Sequence, residues 1–192
     1  MVVGHSLGAR NAVVAGAVSP RAVAGVVAVD FTPFVETAIF DRLDERVAAG
    51  NRLFEDFEEV RAYLSGRYPG LPPDAIVRRV DHGYVRCDDG SVRPRADAEA
   101  MVVTCAGLRE DLAPYISSLG VPALLVRGAD SAFVSAEAFA ATRRLRPDLA
   151  AAVIDGADHY VPEERPGALV ELLEAFLVGV DGSAHIDGEV PS

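Results

Sequence analysis

A serine flanked by glycines lies at the start of this chain, in Gly4-His5-Ser6-Leu7-Gly8. The pattern G-x-S-x-G is typical of an elbow, a sharp turn that joins a buried strand to a helix and lifts the serine hydroxyl above the sheet. The flanking residues fit this turn, because Val2 and Val3 predict the end of a buried strand and the small residues of 9–17 predict a closely packed helix. A second apolar strand is predicted over 23–29. This order predicts a parallel α/β sheet with Ser6 as the candidate nucleophile.

The composition of the chain changes after Asp30, from small apolar residues to longer charged and aromatic ones, and it changes back near Leu119. We therefore expect a separate, mainly helical layer between these points. Apolar residues at helical spacing, and the breakers between them, predict four helices over 35–49, 57–64, 73–80 and 96–108. Between the last two helices, Asp88-Asp89-Gly90 is typical of a turn that joins two short segments.

Alternating strands and helices return in the last part of the chain. We predict strands over 121–128 and 150–154, a helix over 135–145 and a closing amphipathic helix over 167–177. The residues from about Gly179 onward are polar and rich in glycine, and this composition predicts a disordered tail over 179–192.

This order of elements resembles the C-terminal portion of an α/β-hydrolase fold, a parallel sheet flanked by helices, with a helical cap insertion. The resemblance assigns 1–30 and 119–178 to a partial hydrolase core, and 31–118 to the cap and its return to the core. The elbow strand would then be an exposed apolar edge, and such edges aggregate or find partners. We expect the 192 residues alone to be marginally stable or to form a homo-oligomer, and Met1 to mark a truncated or misassigned start.

The charge and the cysteines restrict the partners and the compartment. A formal net charge of −11 argues against nucleic acid and anionic membranes as partners, although it leaves room for a local basic pocket. Cys87 and Cys105 lack zinc-type spacing, so we expect reduced thiols and no metal site, with a disulfide as the alternative. No apolar run approaches the roughly 18 residues of a membrane span, and the start of the chain lacks the pattern of a signal peptide. The sequence therefore predicts a cytoplasmic protein.

A serine nucleophile needs a base that takes its proton, and the chain has four histidines. His159 lies in the loop after the last predicted strand, where α/β-hydrolases carry this base. We predict that His159 is the base, and that His5, His82 and His185 have structural or solvated positions.

Two carboxylates, Asp30 and Asp130, stand at predicted strand ends from which either could orient the imidazole. Many α/β-hydrolases place this acid three residues after the glycine that ends the penultimate strand. Here that glycine is Gly128, and the position holds Ser131. The other arrangement places the acid at the end of the strand that follows the elbow helix, where Asp30 stands. Position favours Asp30, with Asp130 as the alternative acid.

Hydrolysis through a tetrahedral intermediate also needs donors for the oxyanion. In this fold the residue after the nucleophile supplies one of them, which is the backbone N–H of Leu7. The second donor comes from a loop near the third strand of the fold, and we expect that loop to lie outside this chain.

A more specific resemblance rests on four segments taken together. They are Gly4-His5-Ser6-Leu7-Gly8-Ala9-Arg10-Asn11, Val29-Asp30-Phe31-Thr32-Pro33, Leu64-Ser65-Gly66-Arg67-Tyr68-Pro69 and Gly156-Ala157-Asp158-His159-Tyr160. These segments resemble the 2-(acetamidomethylene)succinate hydrolases, a family of vitamin B6 degradation, and the likeness runs nearly throughout the chain to about Leu177. In that family the acid follows the strand after the elbow, so the resemblance also selects Asp30.

The resemblance implies a substrate and the residues that bind it. That family cleaves the amide-like bond of a small enamide dicarboxylate to acetate, ammonia, carbon dioxide and succinic semialdehyde, without a metal or organic cofactor. Arg46 and Arg67 match its carboxylate-binding arginines, while Tyr68 and Tyr160 match hydroxyl donors near the substrate. Arginine suits this task because its planar fork binds a carboxylate through two parallel bonds. From the residues alone, Arg46 fits a solvated helix face equally well, and Tyr68 fits simple packing.

Two other functions stay open at this point. The same triad would serve a carboxylesterase, an enol-lactonase or a carbon–carbon hydrolase of this fold. The chain could instead be an inactive fragment or an interaction module that pairs with another chain through its open edge.

Overall fold

The structure is a computed structural model of the chain, and it describes residues 1–34 and 37–184. These residues form strands and helices that divide into two compact units. In chain order the elements are β1 (Val2–His5), α1 (Leu7–Val18), β2 (Val26–Val29), α2 (Thr37–Gly50), α3 (Phe57–Arg67), α4 (Pro73–Gly83), β3 (Tyr84–Arg86), β4 (Val92–Pro94), α5 (Ala98–Gly107), α6 (Ala113–Ser118), β5 (Ala123–Gly128), α7 (Ala136–Leu145), β6 (Ala150–Ile154), α8 (Val161–Glu164) and α9 (Pro166–Ala184).

The first unit, which comprises 1–34 and the residues from Asp111 onward, contains a parallel four-stranded sheet in the order β1-β2-β5-β6. His5 of β1 is in register with Val29 of β2, and Val29 is in register with Val126 of β5. The residues that follow these three positions therefore meet at one edge of the sheet. Because parallel strands all end at the same side, this carboxyl edge collects the side chains of the strand-ending loops.

Each face of the sheet has its own hydrophobic core. Side chains alternate between the faces of a strand, so Val26 and Ala28 pack with α1, α6 and α7 on one side. Val27 and Val29 pack with α8 and α9 on the other side. All four residues of β2 are buried, as expected for a central strand of a parallel sheet covered by helices on both faces.

The elbow strand lies at the margin of this sheet, since β1 and β6 are its outer strands within the part of the chain that the structure describes. The side chains of Val2 and Val3 are 37% and 50% exposed there. This geometry agrees with the expected apolar edge. Homo-oligomerisation through that edge stays a prediction.

The second unit, described over 37–110, consists of helices α2 to α5 and an antiparallel hairpin of β3 and β4. The hairpin turn contains Gly90 with a φ of 89°, a conformation that glycine adopts without steric cost. Phe54 exchanges two backbone hydrogen bonds of 2.8 Å with Val92 and fixes the connection between α2 and α3 onto the hairpin. The four helices agree with the predicted ones, with ends that differ by at most three residues.

Three features of the fold differ from the sequence prediction. The units divide at Phe34 and Asp111, whereas the predicted core ended at Asp30 and resumed at Leu119. The difference at the second boundary arises because α6, which is too short to show helical periodicity, buries Ile116 in the core against α1. Helix α8 occupies part of the loop predicted over 155–162.

The last helix of the structure extends into the segment that was predicted to be a disordered tail from about Gly179. Helix α9 continues through Gly179 and Gly182 to Ala184, because each glycine costs a helix only about 1 kcal/mol and the packed turns before them carry the helix onward. Residues 185–192 of the predicted tail, including His185, lie outside the described residues.

Candidate active site

Ser6 occupies the turn between β1 and α1. Its backbone has a φ of 53° and a ψ of −116°, and holding a residue other than glycine in such a conformation costs on the order of 1–3 kcal/mol. The Ser6 N–H donates to the carbonyl of Val29 at 2.9 Å, and the Ser6 carbonyl accepts from the N–H groups of Ala9 and Arg10 at 3.0 and 3.1 Å. The sheet on one side and the first helical turn on the other therefore hold this strained turn in place.

The two glycines of the motif are not equivalent. A Cβ on Gly4 would overlap the carbonyl of Gly8, because the first turn of α1 passes directly over the end of β1. A Cβ on Gly8 would meet no heavy atom within 4 Å. Steric space in the elbow thus requires glycine at the first position and not at the second.

Asp30 directly follows β2 and has a positive φ of 49°. Its carboxylate is buried and accepts three hydrogen bonds, which is what a buried carboxylate needs to offset its lost hydration. Oδ1 accepts from the Gly128 N–H at 3.0 Å, and Oδ2 accepts from the Ser131 hydroxyl at 2.6 Å. Oδ2 also lies 2.7 Å from Nδ1 of His159.

His159 lies in the loop between β6 and α8, and it is 6% exposed. Because a carboxylate only accepts hydrogen bonds, the 2.7 Å contact with Asp30 assigns the proton to Nδ1 and leaves Nε2 as the basic nitrogen. The ring centroid of Phe133 lies 4.4 Å from that of His159, and the ring of Tyr160 meets it edge-on at 5.0 Å. The imidazole is therefore fixed by one hydrogen bond and by packing against aromatic rings.

The alternative acid, Asp130, has an exposed side chain. Its backbone N–H donates to the carbonyl of Ala157 at 2.9 Å, and in this way it helps to hold the loop that carries His159. Gly128 contributes to the same loop, because a Cβ there would overlap the carbonyls of Ala157 and Asp158. The geometry favours Asp30 over Asp130 as the partner of the imidazole.

The side-chain hydrogen bonds within residues 1–34 and 37–184 include none between the Ser6 hydroxyl and His159. Catalytic hydrogen bonds are often long or poorly aligned without substrate and tighten in its complex. Leu7, the predicted oxyanion donor, is the first residue of α1. The first N–H groups of a helix have no acceptor within the helix, and so the backbone N–H of Leu7 is suited to bind a negatively charged oxygen.

The predicted carboxylate-binding residues Arg46, Arg67 and Tyr68 belong to the second unit. Arg67 donates from Nε to the Tyr68 hydroxyl at 3.0 Å, and from its terminal nitrogens to the Tyr63 hydroxyl at 2.6 Å and the Arg46 carbonyl at 2.8 Å. The guanidinium of Arg46 lies 5.6 Å from the centroid of the Tyr68 ring. These contacts orient the Arg67 guanidinium between α2 and α3.

This cluster lines a cavity of about 260 Å³ together with Tyr63 and Tyr84. Burial raises the pKa of Tyr84, and the nearby hydroxyls of Tyr63 and Tyr68 raise it further. Its phenol is therefore a neutral hydrogen-bond donor at physiological pH. Arginines and phenols around one cavity give it the donors that an anionic ligand requires.

The sequence interpretation missed two residues of these sites. Tyr63 stands four residues before Arg67 on α3, and this spacing on one helix face was a usable signal. Ser131 was recognised only as the residue at the family's usual acid position, whereas its hydroxyl donates to Asp30 and its oxygen accepts from the Val134 N–H at 3.0 Å. Chain order alone does not show that these groups meet.

Within 1–34 and 37–184, no group of three or more His, Cys, Asp or Glu side chains is arranged to hold a metal ion. Among the same residues, no helix combines the length and the apolar character needed to cross a bilayer.

Comparison with known proteins identifies relatives of the chain. A curated 2-(acetamidomethylene)succinate hydrolase of Mesorhizobium japonicum is 51% identical over 177 residues, which cover 92% of this chain and 63% of the relative. The crystal structure of an E-2-(acetamidomethylene)succinate hydrolase superposes with a TM-score of 0.89 at 51% identity, and it covers 92% of this chain and 66% of that one. Esterase Rv0045c of Mycobacterium tuberculosis is 29% identical over 182 residues, which cover 92% of this chain and 60% of the esterase.

The chain thus spans 63% and 60% of the lengths of these two curated relatives. The model of the alpha/beta hydrolase family matches residues 1–172 of the chain. That match includes the elbow, the strand-end carboxylate and the loop of His159. The chain belongs to the alpha/beta hydrolase family.

Proposed function

We propose that this protein is a serine hydrolase in which Ser6 is the nucleophile, His159 the base and Asp30 the acid. The observation that carries the proposal is the 2.7 Å hydrogen bond between Nδ1 of His159 and the buried carboxylate of Asp30. Both residues follow strands of the sheet whose elbow holds Ser6 in a strained turn. An oriented base and a strained serine at one sheet edge are the requirements of acyl transfer in this family.

In the proposed acylation, Nε2 of His159 takes the hydroxyl proton of Ser6 while Oγ attacks the acyl carbon. Asp30 stabilises the imidazolium that forms and keeps its Nδ1–H oriented. The carbonyl oxygen becomes an oxyanion, to which the Leu7 N–H donates. Collapse of the intermediate breaks the bond to the leaving nitrogen or oxygen, which receives the proton from Nε2.

Deacylation repeats these steps with water. Nε2 of His159 takes a proton from water, whose oxygen attacks the acyl carbon of the Ser6 ester. The second intermediate collapses with release of the carboxylic acid, and Ser6 regains its proton from the imidazolium. His159 therefore acts twice as base and twice as acid, and the transfer of the acyl group to water consumes one water.

For the substrate we propose a small dicarboxylate whose amide or enamide bond is cleaved. The relative at 51% identity is named for such a compound. The arginines and phenols around the second unit's cavity support this choice, because they supply cationic and neutral hydrogen-bond donors. The chain as a whole has a net charge of −11, so this cavity differs in charge from the average of the chain. Arg46, Arg67 and Tyr68 would bind the carboxylates, and Tyr160 would donate its hydroxyl. With an acetylated enamine, the acetyl group passes to Ser6 and the enamine nitrogen leaves.

The first experiment tests the nucleophile. A fluorophosphonate probe should label the folded chain, and mass spectrometry should locate the adduct on Ser6. Ser6→Ala should abolish labelling, while Ser19→Ala, at an exposed serine after α1, should leave it unchanged. A correctly folded chain that stays unlabelled would contradict the triad and would favour an inactive fragment or an interaction module.

The second experiment tests the dicarboxylate. Tyr68→Phe and Arg67→Ala should reduce turnover of E-2-(acetamidomethylene)succinate, while hydrolysis of neutral p-nitrophenyl acetate should stay near the level of the unaltered chain. Arg78→Ala provides a matched control, because Arg78 forms an exposed ion pair with Asp74 on α4. Equal losses on both substrates would show that the cluster is only structural.

A carboxylesterase of neutral substrates is the second candidate, and the similarity to esterase Rv0045c favours it. Under this alternative, the neutral ester would be turned over faster than the dicarboxylate. The Arg67→Ala substitution would then affect neither substrate selectively.

A further inference from the structure

His5 makes a contact that the proposed triad does not explain. Its Nε2 lies 2.6 Å from the backbone carbonyl oxygen of His159. A carbonyl oxygen only accepts hydrogen bonds, so Nε2 of His5 carries the proton in this contact. The residue before the proposed nucleophile thus donates directly to the backbone of the proposed base.

This bond joins two segments that are far apart in sequence. His5 ends β1, and His159 lies in the loop after β6. Strands β1 and β6 are the two outer strands of the described sheet. The ring centroids of His5 and His159 are 4.8 Å apart, and that of Tyr160 lies 6.0 Å from His5. Asp30 fixes the imidazole of His159 at Nδ1, whereas His5 fixes its main chain.

We propose that His5 is a positioning residue, whose Nε2–H donates to the carbonyl of His159 and so holds the base at the correct distance from Ser6. The inference rests on the proposed function of Ser6 and His159. His5 adjoins Ser6 in the chain, so one hydrogen bond fixes the elbow and the base relative to each other. Placing reacting groups incorrectly by about 1 Å can cost about 100-fold in rate. The hydrogen bond from His5 would help to set the distance between His159 and Ser6.

The surroundings of His5 keep its ring neutral. Burial lowers the pKa of His5, and the neighbouring His159 imidazole lowers it further, while the hydrogen bond to the His159 carbonyl and the carboxylates of Asp30 and Glu163 act in the opposite direction. A neutral ring has one N–H, and the short contact uses it at Nε2. The neutral form also avoids placing a second positive charge beside the imidazolium that His159 becomes during the reaction.

Two variants separate the hydrogen bond from the rest of the side chain. The amide nitrogen of His5→Gln extends about as far as Nε2 and retains the donor, whereas the amide of His5→Asn is shorter and loses that reach. We expect His5→Gln to be labelled by fluorophosphonate within about threefold of the rate of the unaltered chain, and His5→Asn between about 10- and 100-fold more slowly. Turnover by His5→Asn should fall in kcat with little change in KM. His82→Asn, at an exposed histidine of α4, is the control.

Equal labelling of His5→Asn and the unaltered chain would overturn the proposal, and so would a His5→Gln variant that folds but labels as slowly as His5→Asn. Side-chain 15N–1H correlation spectra give a readout that requires neither activity nor a variant. At pH 7.5 the Nε2–H tautomer of His5 supports the proposal, and an Nδ1–H or doubly protonated ring contradicts it. If the unaltered chain fails to label but His5 shows the Nε2–H tautomer, the proposed nucleophile fails while the contact stands.

Discussion

The Asp30 carboxylate of the first unit and the Arg67 guanidinium of the second each bind three groups of the protein, but different structures fix them. Asp30 is buried at a strand end, and two of its three donors are Gly128, the last residue of β5, and Ser131, which follows that strand. Arg67 is half-buried beside a cavity, and two of its three acceptors are tyrosine hydroxyls. Each group has one backbone partner and two side-chain partners, so the two sites differ in burial: the carboxylate is enclosed at a strand end, and the guanidinium borders a cavity.

This difference indicates that the two sites should respond differently to substitution. A buried group tolerates almost no change, because each lost bond leaves a buried polar atom unsatisfied. A half-buried group beside a cavity can rearrange, and water can replace a lost partner.

The largest effect is expected for Asp30→Asn, which breaks the first site. The amide retains the shape but has only one oxygen to accept hydrogen bonds, and its NH2 group cannot accept from Nδ1–H of His159. The wrong tautomer of the base should slow labelling of Ser6 by about 10⁴-fold, as for other triads. Asp130→Asn is the control, since its exposed carboxylate has no contact with the imidazole among the described residues. A reversed order of the two variants would make Asp130 the acid.

The next effect concerns the elbow that supports the first site. Gly4→Ala forces a methyl group into the Gly8 carbonyl, and we expect the free energy of unfolding to fall by about 1–3 kcal/mol or more. Gly8→Ala has open space and replaces glycine in a helix, so it should be neutral or stabilising by up to about 1 kcal/mol. Urea denaturation of both variants measures the difference. Similar losses at both positions would mean that the motif's glycines serve chain flexibility instead of close packing.

Tyr63→Phe should perturb the second site more mildly. The variant removes the hydroxyl that accepts from Arg67 at 2.6 Å, and one such bond is worth about 1 kcal/mol, or about fivefold in affinity. We expect a KM for the dicarboxylate that rises by about that factor, with kcat and neutral-ester hydrolysis unchanged. Tyr115→Phe in α6 of the first unit is the control. A loss in kcat on both substrates would indicate that Tyr63 acts through folding.

The smallest effect is the pH dependence of stability that His5 contributes. Its folded pKa lies below the usual histidine value of 6.5, mainly because of burial. Below pH 6.5 the unfolded state therefore binds more protons at this site than the folded state, and stability falls as the pH drops toward the folded pKa. Urea midpoints at pH 7.5 and 5.5 should show a smaller decrease for His5→Gln than for the unaltered chain. An identical decrease of the urea midpoint in the two chains would show that His5 is not the source of this pH dependence.

Local patterns predicted the fold well where the signal was strong along the chain. The G-x-S-x-G motif, apolar runs and turn residues predicted every strand of the first unit's sheet, and helical spacing predicted α2 to α5. The short α6 carries too few turns for periodicity, and the end of α9 depends on a helix already stabilised by packing. These two differences from the prediction arise where tertiary contacts decide the local structure.

The candidate site shows the same division. Ser6 and His159 were recognisable from their motif and loop, and Asp30 was preferred over Asp130 from strand order. The contacts of Ser131 with Asp30 and of His5 with His159 span 101 and 154 positions. No spacing rule predicts contacts between residues so far apart.

The sequence by itself determined the parallel α/β architecture, the serine elbow and the set of candidate residues, because these depend on propensities and spacing within single elements. The tertiary structure decided which carboxylate meets the imidazole, which nitrogen of His159 carries the proton and what occupies the donors of Arg67. Those answers depend on strand order and register, which bring distant loops to one edge of the sheet. Burial there makes each polar contact costly to lose, and so the position of each partner becomes specific.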